Sequence, residues 1–231
     1  MLNIKEGLTA IKLVDLSYNT PEVVNETIRK STEFKTPTYI FDKESDSKVF
    51  VFKSKIENKL FVVYPGTESV KNIETDLQFA LTDFDRLAED CQVHFGFKQS
   101  FLALFYELED CIEGDSELVF TGHSLGAGCA ALAAAWYAKI GRKVSYYGAG
   151  TPRVGCSVFK KEFDKLVPNS VRYKFGRDIV NTIPAWPFYR HISTEYHLGP
   201  SDWSFNMTLL SDILSHRIKN YVEALSKLEK L

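Results

Sequence analysis

Helical and strand-like hydrophobic spacings alternate along this chain of 231 residues. Residues 6–17 and 21–34 read as two helices, with Thr20 placed as an N-cap and Pro21 suited to a first helical turn. Short β-branched and aromatic runs follow at 38–41, 48–53 and 59–64, split by polar turns such as Glu57-Asn58, and these predict strands. Phe97, Phe101, Leu104, Phe105 and Leu108 recur at helical spacing and predict an amphipathic helix over 95–112. Residues 117–120 predict a short buried strand. An alanine-rich helix follows over 127–140, with Leu132, Trp136 and Ile140 at helical spacing. The pattern continues as a strand at 143–147, a helix at 158–166, a strand at 170–175 and a last helix from about 216 to 228. Such alternation predicts an α/β chain, one domain over 1–231, with a mostly parallel sheet covered on both faces. Reactive groups are then expected at the carboxyl ends of the strands.

Composition narrows the function classes. Hydrophobic residues make up 45% and charged residues 25%, ordinary values for a soluble domain. The net charge of −2 supplies no basic field to attract nucleic acid. No run reaches the ~18 apolar residues of a membrane span. Lys5, Glu6, Lys12 and Asp15 interrupt the first fifteen residues, which therefore lack the apolar core of a secretion signal. The expectation is a cytoplasmic chain, with secretion by another route or from a removed leader left open. Cys91, Cys111, Cys129 and Cys156 form no Cys-x-x-Cys pair and have no histidine at metal spacing. All four are read as thiols, Cys129 as a small core residue.

The chemistry concentrates at Gly122-His123-Ser124-Leu125-Gly126, a Gly-x-Ser-x-Gly between an apolar strand and a small-residue helix. A sharp strand-to-helix reversal puts the serine at a strained apex, and the glycines remove Cβ atoms that would clash. The hydroxyl then stands clear of the sheet, facing the first amides of the helix. A serine nucleophile needs a base, and the base needs an acid to fix its tautomer. Asp178 follows the strand at 170–175 directly and is flanked by Ile179, Val180 and Ile183-Pro184, which suits a partly buried carboxylate. Two later histidines compete as base. His191 lies only 13 residues after Asp178, short for a chain that must complete another element, whereas His216 lies 38 residues after it, ahead of the last helix. The spacing favours His216.

Several segments taken in order resemble the fungal-type (class 3) lipases of the α/β-hydrolase fold. They are residues 62–69 with 72–77, Val93-His94-Phe95-Gly96-Phe97, residues 121–127, the block Gly150-Thr151-Pro152-Arg153-Val154-Gly155, and residues 177–184. The resemblance implies an oxyanion hole made by Thr67, through its backbone N–H and hydroxyl, and by the N–H of Leu125. It also implies His216 as the base, in Asp212-Ile213-Leu214-Ser215-His216, and places His191 at a non-catalytic histidine ahead of Glu195-Tyr196. Two positions depart from the family pattern: Pro65 stands where arginine is usual, and His197 where tryptophan is often found.

The expected activity is carboxylic ester hydrolysis of acylglycerols through an acyl-enzyme, with no metal or organic cofactor. The substrate is a lipid or ester, with transient contact at a lipid surface. Phospholipase and soluble carboxylesterase activities use the same machinery, and a non-catalytic lipase-like scaffold is the competing class. Residues 69–87 mix Lys71, Glu74 and Asp76 with Val70, Ile73, Leu77, Phe79, Leu81 and Phe84, and read as a lid. Trp186, Phe188, Phe79 and Leu81 are the candidates for substrate binding.

Overall fold

The computed structural model describes residues 3–66, 80–112, 114–184, 187–199 and 213–230. Its centre is a seven-stranded sheet in the order β1-β2-β3-β6-β7-β8-β9. The strands are β1 (Thr38–Asp42), β2 (Ser47–Lys53), β3 (Lys59–Tyr64), β6 (Glu117–His123), β7 (Val144–Ala149), β8 (Ser170–Phe175) and β9 (Thr194–Leu198). The first three run antiparallel, as short connections allow. From β3 onward all pairs are parallel. A separate antiparallel hairpin joins β4 (Leu81–Asp83) to β5 (Gln92–His94).

The central strands are buried along nearly their whole length, so they read as apolar runs rather than alternations. Their side chains feed two cores. On one face Tyr64, Phe120 and Tyr146 pack under α3 (Phe95–Cys111), α4 (Leu125–Lys139) and α5 (Ser157–Leu166). On the other, Phe61, Val63, Val119 and Tyr147 pack under α1 (Ile4–Leu16), α2 (Pro21–Arg29) and α6 (Ile218–Leu228). This is the expected α/β architecture with both faces covered.

Three local outcomes differ from the periodicity. The second helix ends at Arg29 rather than running to Phe34, whose ring is buried in the second core and whose backbone bridges to Ser54. Strands β4, β5 and β9 were not anticipated. The downstream end of the segment read as a lid is anchored: Phe84 and Leu87 are buried, and Arg86 lies over the rings of Phe105 and Trp136. Residues 69–79 lie outside the described residues.

Candidate active site

Helix α4 approaches the sheet closely because Gly126, in its first turn, has no side chain to hold it off. A Cβ on Gly126 would lie 2.3 Å from the Tyr64 carbonyl oxygen, and one on Gly122 would lie 2.5 Å from the Gly126 carbonyl. Between them the chain turns through Ser124 at φ 58° and ψ −130°, a left-handed conformation that costs a non-glycine residue about 1–3 kcal/mol. The surrounding β6–α4 packing imposes that conformation. Ser124 is 2% exposed.

The neighbouring parallel strands deliver the other groups. The amide of Ser124 donates to the carbonyl of Ala149 (3.1 Å) and that of Gly150 to Tyr173 (3.1 Å), which extends the ladder past the ends of β6 and β7. Asp178 follows β8 by one tight turn, its amide donating to Phe175 (3.1 Å). His216 sits in the turn ahead of α6. Its Nδ1 bonds Asp178 Oδ2 at 2.7 Å, and both side chains are completely buried. Gly150 passes directly beneath this pair: at φ 54°, an added Cβ would lie 2.8 Å from both Asp178 Oδ2 and His216 Nδ1.

Asp178 is satisfied on every side. The Val180 amide donates to Oδ1 (2.9 Å), while the Tyr221 hydroxyl donates to Oδ2 in a short contact. Burial works to raise this carboxyl, but the charge and hydrogen bond of His216, with the bonds from Tyr221 and Val180, hold it below its ordinary value. An ionised Asp178 accepts from Nδ1–H, which leaves the lone pair of His216 on Nε2. Among the described residues, Ser124 Oγ and His216 Nε2 are both buried without a hydrogen-bond partner. They are not hydrogen-bonded to each other, and catalytic contacts of this kind often tighten only once substrate is bound.

The other histidine considered as base is engaged elsewhere. His191 Nε2 is taken up by the Asn181 carbonyl at 2.7 Å, and burial together with nearby Arg172 pushes the imidazole down to about 3. Leu125 opens α4, so its amide belongs to the first turn, where no acceptor within the helix is available. Thr67, Phe79 and Trp186 lie outside the described residues. Leu81 is half-buried on β4, and Phe188 is 72% exposed at the surface. Sequence reasoning did not single out Tyr221, Tyr18, or His123 as a partner of the site. The signal for Tyr221 was its place on the apolar face of the last helix, since a buried tyrosine hydroxyl needs a partner.

Comparison with known proteins bears on the family and the fold. The family model "Lipase (class 3)" matches residues 61–188. Secreted mono- and diacylglycerol lipase 1 of Fusarium solani is 30% identical over 168 residues, 69% of this chain and 50% of that protein. Secreted mono- and diacylglycerol lipase A of Penicillium cyclopium is 28% identical over 186 residues, 77% of this chain and 59% of that protein. The crystal structure of a lipase from Rhizopus microsporus var. chinensis superposes with a TM-score of 0.71 at 27% identity, covering 84% of this chain and 74% of that one. The chain thus spans about half the length of these curated relatives, and its architecture is the α/β-hydrolase fold.

The two curated relatives are secreted proteins by name, which corrects the expectation of a cytoplasmic chain. That expectation rested on the charged residues among the first fifteen. Export signals are read and removed independently of the domain that follows, so those residues do not decide the compartment. No helix among the described residues is long and apolar enough to cross a membrane. With its matched segment covering more than half of the residues, the chain belongs to the class 3 lipase family.

Proposed function

We propose that this protein hydrolyses carboxylic esters of acylglycerols by acyl transfer to Ser124, with His216 as general base and Asp178 as the acid that orients it. One observation carries the reading: a buried His216–Asp178 pair with a free Nε2, beside a buried serine hydroxyl at a strained strand-to-helix apex. Ser124 Oγ attacks the ester carbonyl while Nε2 takes its proton. The imidazolium, stabilised by Asp178, protonates the leaving alcohol, and the neutral imidazole so restored takes a proton from the water that hydrolyses the acyl-enzyme. Charge on the carbonyl oxygen falls to the Leu125 amide at the start of α4 and to Thr67, the residue after Gly66. One such donor typically contributes about 3 kcal/mol to lowering the barrier. The names of the relatives, mono- and diacylglycerol lipases, support partial glycerides as the substrate class.

The test is Ser124→Ala assayed on monoacylglycerol, diacylglycerol, phospholipid and a soluble short-chain ester. The wild-type protein is expected to turn over glycerides fastest, and the variant to lose on the order of 10⁶-fold in kcat. Undiminished turnover by the variant would remove Ser124 from the chemistry. A wild-type preference for phospholipid would move the substrate class.

A further inference from the structure

Beside the site runs a chain of polar contacts, half-buried at Tyr18 and fully buried at His123, that the proposed reaction does not use. The amide of Gly66 donates to Tyr18 Oη at 3.0 Å. Tyr18 Oη lies 2.6 Å from His123 Nδ1, and His123 Nε2 lies 2.7 Å from the backbone carbonyl of His216. With the His123 ring neutral, only one proton arrangement satisfies all three contacts. A backbone amide can only donate and a carbonyl can only accept. His123 must therefore carry its proton on Nε2, toward the His216 carbonyl, and Tyr18 must donate its single proton to Nδ1 while accepting from Gly66. The reverse tautomer would set a lone pair against the carbonyl oxygen.

The three elements so joined are the ones the reaction needs in register. Gly66 is the last residue before Thr67. His123 is bonded directly to Ser124, and His216 is the proposed base. At their meeting point a Cβ on Gly66 would lie 2.6 Å from Tyr18 Oη, 2.7 Å from the His123 carbonyl and 3.0 Å from Ser124 Cβ. The His123 ring also covers one face of the His216 ring, with centroids 4.3 Å apart and planes 27° from parallel. A neutral ring in that place supports an imidazolium through its π face, while a charged one would repel it. Burial, then the adjacent His216, pushes His123 down to about 3, so it stays neutral as the base gains and loses its proton.

We propose that Tyr18 is a positioning residue for acyl transfer: through His123 it locks the turn at Gly66, the nucleophile and the base into one rigid unit. The inference rests on the proposed roles of Ser124 and His216. It assigns to the link between α1 and α2, 106 residues from the nucleophile, a part in the rate of the chemical step.

The test compares Tyr18→Phe, His123→Phe and the double variant on a soluble short-chain ester. Turnover is counted per active site titrated with a fluorophosphonate, and urea stability is measured alongside. Each single variant is expected to lower kcat about tenfold or more with KM within about threefold, because ground-state binding is untouched. The double variant is expected to be no slower than the worse single, since either change breaks the same chain of contacts. Wild-type kcat per titrated site in Tyr18→Phe, or losses that multiply in the double variant, would overturn the proposal even if stability fell. Should His123→Phe not fold, the kcat and KM of Tyr18→Phe decide alone. Ser124→Ala run in parallel separates the two failures. If it keeps turnover, the assignment of the nucleophile fails and the proposal with it; if it is inactive while Tyr18→Phe is unimpaired, only the positioning role fails.

Discussion

A neutral histidine that donates its Nδ1 proton to a buried carboxylate presents a lone pair at its other nitrogen, and the reactivity of Ser124 turns on that constraint. Asp178→Asn puts an amide where the acceptor was, and the imidazole then takes the wrong tautomer. A fall in kcat of about 10⁴-fold with little change in KM is expected from steady-state kinetics. Tyr221→Phe removes one donor to Asp178 but leaves the His216 bond, so a loss nearer tenfold is expected from the same assay. If the two variants behaved alike, the Asp178–His216 bond would not be the decisive contact. The residues of this pair were legible in the sequence because each follows or precedes a recognisable element. Tyr18 and Tyr221 were not, because a tyrosine on an apolar helix face or in a short link looks like core or loop. Only folding reveals which distant group its hydroxyl meets.

At the level of elements, the nucleophile depends on how closely α4 sits on β3 and β6. The small residues at the start of α4 announced this in the sequence, and the structure states the tolerance: there is no room at Gly126 for a methyl group, because backbone atoms of Tyr64 and Pro65 occupy it. Gly126→Ala is therefore expected to destabilise the fold by about 3 kcal/mol and to displace the Ser124 turn. Urea unfolding and fluorophosphonate labelling would read these two effects, and a variant of wild-type stability and labelling rate would refute the packing account. The long, apolar elements β3, β6, α3 and α4 were readable from periodicity. Strands β4, β5 and β9 were not: β4 and β5 are three residues each, and β9 is a half-exposed strand at the sheet edge. Pairing, rather than local pattern, makes them strands.

Over the whole molecule, three imidazoles are held neutral by burial. His94 is pushed down to about 4, and His123 and His191 to about 3, from an ordinary value of 6.5. In the unfolded chain these groups take up protons as pH falls below about 6.5. In the folded chain they do not, so the unfolded state binds more protons through that window. Stability is thus fully present above pH 6.5 and declines as pH falls toward 4. Asp178, held below its ordinary value, acts in the same direction at lower pH: its contribution is present above the usual carboxylate range and is lost as pH drops through its own lowered value. Urea midpoints measured from pH 7 to pH 5 should fall steadily, with proton uptake on unfolding. A midpoint flat across that range would mean the three imidazoles are accessible to protons in the folded state.

The most direct measurement is the site of covalent capture. The protein is treated with a fluorophosphonate, digested, and its peptides are read by mass spectrometry. A single adduct on Ser124, lost when the protein is first denatured and slowed sharply in Asp178→Asn, is the result expected here. An adduct on another serine, or labelling of Ser124 that persists at the same rate in the denatured chain, would contradict the claim that the fold itself makes this hydroxyl a nucleophile.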